Sequence, residues 1–177
     1  KFTLDRVGNT PARFLVDKLQ WMNGHYIKQT SVEKLVELCR PYLAKAYDLE
    51  KIPPALLTEA VRQQQPRLKM LSDIVGLTRF CFAPAIEIDP AALEKWLTGS
   101  KDVLAEIRAG LADMAAFDKE PVEALLKSIG EKRGLKMGKV AQPLRVAVTG
   151  TDQSPPMHET LAVVGRERAL SRIDAAL

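Results

Sequence analysis

Histidine and cysteine are scarce in this 177-residue chain, with two of each. His25 and His158 lie far apart, and neither stands at metal-ligand spacing from a Cys, Asp or Glu. The chain has no CxxC pair, no HExxH, no glycine-rich phosphate loop and no GxSxG elbow. Metal-assisted hydrolysis, redox chemistry and acyl transfer therefore have no recognisable constellation here. His158 precedes Glu159, but adjacent residues on a helix point to different sides and form no dyad. Cys39 and Cys81 are too few for a disulfide framework. Each falls in an apolar-periodic segment, where a thiol packs as a small hydrophobe, which suits a reducing cytoplasm. No window approaches the roughly 20 uninterrupted apolar residues of a membrane helix, so no membrane contact is expected. The opening Lys1-Phe2-Thr3-Leu4-Asp5 has neither a Met nor an apolar secretory stretch and reads as the inside of a longer chain.

What remains is an ordinary globular composition, 46% hydrophobic and 27% charged. A chain of this length can bury a sizeable core, roughly two-thirds of its unfolded surface. Charge is mildly basic, 26 Lys and Arg against 22 Asp and Glu, which permits an acidic partner. The apolar spacing is helical nearly throughout, so the fold class is all-α. Thr30-Ser31 precedes Val32, Leu35, Val36, Cys39 and Leu43 on one helical face, with Pro41 expected to kink or restart it near Arg40. Pro53-Pro54 opens a second helix that Pro66 stops, and a third is expected from about Arg67 to Val75. Residues 79–84 and 86–88 read as extended connectors. Asp89-Pro90 is a helix start, Gly99-Ser100 a break, and Val103 to Met114 another helix. Asp118 caps a helix that Gly134 ends. Three further helices are expected, over 138–148, 157–164 and 166–176. Trp21, Tyr26, Tyr42, Tyr47 and Trp96 all lie on apolar-periodic stretches and read as core.

Charge pattern carries most of the functional signal. Between Lys132 and Thr151 stand five cations, Lys132, Arg133, Lys136, Lys139 and Arg145, and no acid. A cationic run beside a helix N-terminus suits phosphate oxygens, although a solvated basic face would look the same. Arg62, Arg67, Lys69 and Arg79 form a second cluster, opposed only by Asp73. Arg67 follows Pro66 and is expected at a helix start with its planar fork projecting. Pro155-Pro156 stiffens the loop from Thr149 to Pro156, which would hold the Thr151 and Ser154 hydroxyls in place for unstacked bases. Without further information, each of these is equally an ordinary charge or connector. A helical protein–protein scaffold is the alternative reading. A helix-turn-helix DNA binder ranks last, because no helix carries several base-reading side chains.

Lys139-Val140-Ala141-Gln142-Pro143-Leu144-Arg145, running on to Thr151, resembles the C-terminal region of bacterial glutamyl-tRNA synthetases. The similarity continues in Ser154-Pro155-Pro156, Glu159-Thr160-Leu161 and Gly165-Arg166-Glu167-Arg168-Ala169-Leu170. At the other end, Phe2-Thr3-Leu4-Asp5-Arg6-Val7, Pro11-Ala12, and Trp21 with Asn23-Gly24-His25-Tyr26-Ile27 resemble the segment after that enzyme's catalytic core. Pro66-Arg67 matches in between.

The resemblance implies an all-α cage of two helical subdomains that binds the anticodon loop of tRNA(Glu). On that reading residues 1–29 end the stem-contact region, 30–99 form the first subdomain and 100–177 the second. The HIGH and KMSKS signatures of the class I catalytic domain do not occur here. Glutamate attachment, with its ATP and Mg, is thus expected in an N-terminal catalytic domain outside these residues, with no cofactor bound by them. Arg67 matches the arginine that reads the third anticodon base in members discriminating glutamate from glutamine tRNA. Arg145 matches an arginine contacting the anticodon loop, and Ser154, Pro155 and Met157 match residues lining pockets for its bases. Lys132, Arg133, Lys136 and Lys139 would then hold phosphates. Pro156 and His158 depart from relatives that have Gly and an apolar or aromatic residue there.

Overall fold

The structure, a computed structural model, describes residues 15–177. Phe2 to Val7 and Pro11-Ala12, which carry part of the resemblance, lie outside them. The described residues contain helices and connectors and no strand. None of these helices is long and apolar enough to cross a membrane.

Two apolar clusters organise the chain. Helix α1 (Val16–Gln29), α2 (Val32–Leu43) and α3 (Pro54–Gln64) share the smaller one. It joins Ile27, Leu35, Cys39, Leu43, Leu57, Val61, Leu68 and Ile74. The spacing of Leu35, Cys39 and Leu43 sets one face of α2 inward, each fully buried, and a buried Leu contributes roughly 1.5–3 kcal/mol. Ser31 starts α2 by accepting a hydrogen bond from the Lys34 amide at 3.4 Å. Helix α2 runs on through Pro41 without a restart. The proline stands in the last turn, two residues before α2 ends, so the bond that its missing N–H cannot give to the Glu37 carbonyl is lost close to the helix end.

The expected helix over 67–75 is not formed. A 3-10 turn, Gln65–Arg67, prolongs α3, and a second, Leu71–Asp73, leads into the single α-turn α4 (Ile74–Leu77). The Asp73 carboxylate accepts from the Met70 amide at 2.9 Å, a local bond that competes with helix continuation. Residues 79–84 also depart from the extended reading, since Arg79–Phe82 form a helical turn, α5. Its terminal carbonyls are met from far along the chain. Arg172 donates to Phe80 and Ala83 oxygens at 2.8 and 3.0 Å, and Arg168 to the Cys81 oxygen at 2.8 Å.

The larger cluster takes in Ala60 of α3, then α5 and the rest of the chain. Asp89 caps α6 (Pro90–Ala92) by accepting from the Ala92 amide at 2.8 Å. The next turn, Leu93–Leu97, widens to π geometry, then α7 (Lys101–Asp113), α8 (Lys119–Arg133), α9 (Met137–Thr149), α10 (Met157–Val164) and α11 (Arg166–Ala176) follow. Leu104, Ile107, Leu111, Leu144, Leu161 and Ile173 are buried at its centre. Phe80, Cys81, Ala92 and Leu97 also pack here, so the apolar packing passes from one cluster to the other before Gly99. Both cysteines are free and buried.

Several aromatics are not core. Trp21 is 68% and Tyr26 64% exposed on α1, and Tyr42 is exposed on α2. Trp21 stacks on His25 with centroids 5.9 Å apart. The apolar periodicity of α1 is real, but only Gly24 and Ile27 of that helix are buried.

Candidate nucleic-acid interface

The junction of α3, α9 and the 150–156 loop gathers the polar groups that the sequence leaves scattered. Helix α9 ends because Gly150 adopts φ 82°, the left-handed cap that glycine accepts without strain. The chain is also tight there. The Gly150 oxygen accepts from the Asp89 amide at 2.8 Å, and a Cβ on Gly150 would stand 2.4 Å from the Glu87 oxygen. The extended segment before α6 is thereby pinned to the loop.

Arg67 and Arg145 meet on this loop. The Arg67 guanidinium donates to the Ser154 carbonyl. Arg145 Nη1 donates to the same carbonyl at 2.8 Å, to the Pro155 carbonyl at 2.8 Å, and to the Ser154 hydroxyl. Burial pulls the Arg145 pKa down, the Arg67 charge adds to this, and Asp152 opposes it. Burial also lowers the Arg67 pKa. Two desolvated cations set side by side form a strong local donor field. Arg67 does not open a helix as expected. It closes the 3-10 turn after α3, and that turn aims it at the loop.

The loop hydroxyls are not displayed. Ser154 is buried, its Oγ within 3.3 Å of Thr160 Oγ1, and Thr151 Oγ1 donates to the Gln153 carbonyl at 2.8 Å. Pro155 is buried too. A loop this tight satisfies its hydroxyls internally, while Thr151, Asp152 and Gln153 line the first pocket and Ser154 the second.

Three pockets share walls along the two arginines, and a fourth, between Trp21 and Lys69, also touches Arg67. The first, of about 440 Å³, takes Arg67, Gln64, Phe80, Asp89, Asp152 and Gln153 among its walls. The second, of about 480 Å³, shares Arg67, Asp152 and Gln153 with the first and adds Gln142, Arg145 and Ser154. The third, of about 410 Å³, is mostly apolar and shares Arg145 with the second. Met137, Ala141, Pro156, Met157 and His158 line it. Trp96 Nε1 donates to Asp152 at 3.4 Å, and Lys95 and Lys139 sit 4.8 and 5.3 Å above the Trp96 ring. Lys139 is thus tied to the pocket wall through one aromatic ring.

The cationic clusters are less free than their sequence suggests. Lys132 and Arg133 both bind Glu106 of α7 at 2.7 Å. Hydrogen bonds from Lys132 and then Arg133 hold that carboxyl below the usual carboxylate range. Of the other cluster, Arg62 pairs with Glu59 at 2.6 Å and Arg79 with Glu87 at 3.0 Å. The notion that only Asp73 opposes this cluster therefore fails. Glu59, three residues before Arg62, was the local signal for it. Lys136 caps the start of α9 and is exposed. Sequence reasoning missed Gln64, Asp152 and Gln153 among the pocket residues.

The curated relatives include the glutamate–tRNA ligase of Thermodesulfovibrio yellowstonii, 36% identical over 176 residues, covering 97% of this chain and 38% of the relative. That of Desulforamulus reducens is 38% identical over 184 residues, covering all of this chain and again 38% of the relative. The chain thus spans well under half the length of the relatives it matches. Among solved structures, a glutamate tRNA ligase from Elizabethkingia meningosepticum in complex with its amino acid superposes with a TM-score of 0.83. It is 24% identical, with 99% of this chain and 35% of that one covered, a likeness of fold. Residues 34–177 match the family model described as an anticodon binding domain, and the chain belongs to that family.

Proposed function

We propose that this chain binds the anticodon loop of tRNA(Glu), as the recognition part of an enzyme that attaches glutamate to that RNA. The observation that carries the reading is the group of three pockets joined by Arg67 and Arg145. Single-stranded RNA is read by splaying bases into separate pockets with apolar walls and a few fixed donors, and three adjoining pockets suit three anticodon bases. Arg67 and Arg145 supply donors for pyrimidine carbonyls. Met157 and Pro156 supply the apolar wall of the third pocket, while Ser154 and Pro155 act through their carbonyls, holding the arginines in place. Lys136 and Lys139 hold phosphates and set the register. Lys132 and Arg133 add less, since they share the charge of Glu106.

The names of the relatives support the glutamate assignment. Amino-acid activation, with ATP and Mg, belongs to a catalytic domain that docks against this chain in the cytoplasm. An RNA rather than a DNA partner is read from the relatives, whose names are those of tRNA ligases.

The test is binding of the chain to a glutamate-tRNA anticodon stem-loop at low and moderate salt. The controls are a loop with the third anticodon base replaced and the DNA hairpin of the same sequence. Salt-sensitive binding that drops with the base change and is weaker for DNA supports the reading. Binding blind to the base overturns it.

A further inference from the structure

Gln63, Gln64 and Gln65 are consecutive, yet their carboxamides have different fates. Gln63 Nε2 donates to Glu59 Oε1 at 2.9 Å and to the Glu159 carbonyl at 3.1 Å. Gln65 Nε2 donates to the carbonyls of Ile27 and Thr30 at 2.9 and 2.7 Å. Gln64 lies between them, is 1% exposed, and has no partner on either its Nε2 or its Oε1. A buried amide with both ends unpaired is costly to folding, and such groups persist where a ligand completes them. Gln64 lines the first pocket together with Arg67, three residues on and so on the same side of the turn.

We infer that the Gln64 carboxamide reads the hydrogen-bonding edge of the base held by Arg67. This rests on the anticodon reading and names a second determinant within its first pocket. The unmet groups are one donor beside one acceptor, which pair with an acceptor beside a donor on a base edge. Cytosine, the third base of glutamate anticodons, meets all three groups. Its N4 amino group donates to Gln64 Oε1, its N3 accepts from Nε2, and its O2 accepts from Arg67. Guanine, in the same place of glutamine anticodons, can pair with Gln64 once the carboxamide is turned over, its O6 accepting from Nε2 and its N1–H donating to Oε1, but its N2 amino group then faces Arg67, donor against donor. Gln64 therefore holds the edge, and Arg67 rejects the wrong base. A phosphate is the poorer occupant, because Glu87, Asp89 and Asp152 also line this pocket.

Gln64→Leu removes the amide at similar volume, and Gln64→Met repeats the change without branching. Stem-loops with cytosine or an abasic site at the third anticodon position are titrated against each variant and the wild type, with melting temperatures alongside. The variants are expected to bind the cytosine loop about ten-fold more weakly, the loss of one base-edge pair. They should match the wild type on the abasic loop and melt no lower than it. Equal loss on both loops, no loss on either, or a marked drop in melting temperature for both variants overturns the role of Gln64. A wild-type chain that binds no stem-loop overturns the anticodon reading and this assignment with it. Base-dependent wild-type binding that survives both substitutions overturns the assignment alone.

Discussion

Arg67 and Arg145 donate to one and the same carbonyl oxygen, that of Ser154. The shared acceptor sets their relative position from opposite halves of the chain, and both side chains line the second pocket. Their roles should separate on mutation. Arg145 also binds the Ser154 hydroxyl and the Pro155 carbonyl, so its loss loosens the loop itself. Arg67 has the single bond to the loop. Arg67→Ala should therefore cost roughly 1–3 kcal/mol of binding and relax the preference at the third anticodon base. Fluorescence anisotropy on matched and mismatched stem-loops measures it, and equal losses on both loops would sink the assignment.

Phosphate contacts should show up in the salt dependence. Lys136 carries no carboxylate partner among the described residues, whereas Lys132 and Arg133 share Glu106. Lys136→Ala should weaken all RNAs alike and flatten the slope of log K against log salt by about one unit. Lys132→Ala should change that slope much less. Glu106→Gln removes the competing charge and should tighten RNA binding while steepening the slope. A titration series in potassium chloride decides among the three, and a flat response to Lys136→Ala would refute a phosphate contact there.

Punctuation made most helices legible in the sequence. Ser31, Pro53-Pro54, Asp89-Pro90 and Gly134 mark ends where the structure has them, because caps and glycine turns depend on the residues beside them. The α5 turn was hidden because Arg168 and Arg172 of α11 supply the donors that its free carbonyls need. The third helix failed for a local reason, the Asp73 bond to the Met70 amide, which competes with propensity. In the candidate site, the arginines and Met157 stood out by resemblance. Gln64 and the Glu106 pairing did not, since an unpaired amide or a neutralised charge is defined by what other elements bring near it.

Both thiols should be silent at neutral pH. Burial raises Cys39 from an ordinary 9.0 to about 11. It raises Cys81 from 9.0 to about 12, against the opposing charges of Arg168 and Arg172. The folded state thus holds these protons more tightly than the unfolded chain does. That stabilisation is complete below about pH 9 and is lost as pH rises from there through about 11 for Cys39 and about 12 for Cys81. A disulfide reagent at pH 8 should find no fast thiol in the native chain and both in urea. Melting temperature should fall steadily above pH 9. Rapid native labelling of either residue would contradict the burial.

Two glycines with the same backbone sign should respond very differently to alanine. Gly134 ends α8 at φ 63° with nothing near the position of a Cβ. Gly134→Ala meets only the left-handed backbone penalty, about 1–2 kcal/mol. Gly150 has φ 82°, but its Cβ would also press on the Glu87 carbonyl at 2.4 Å, a backbone atom that no rotamer can move. Gly150→Ala adds a steric cost of roughly 1–3 kcal/mol to the same penalty. It also strains the bond from the Asp89 amide to the Gly150 oxygen, and with it the wall shared by Asp89 and Asp152 in the first pocket. Chemical denaturation should therefore rank Gly150→Ala well below Gly134→Ala in stability. RNA binding should drop for the first and hold for the second under conditions where both are folded. Equal stabilities would mean that the segment before α6 is not pinned to the loop.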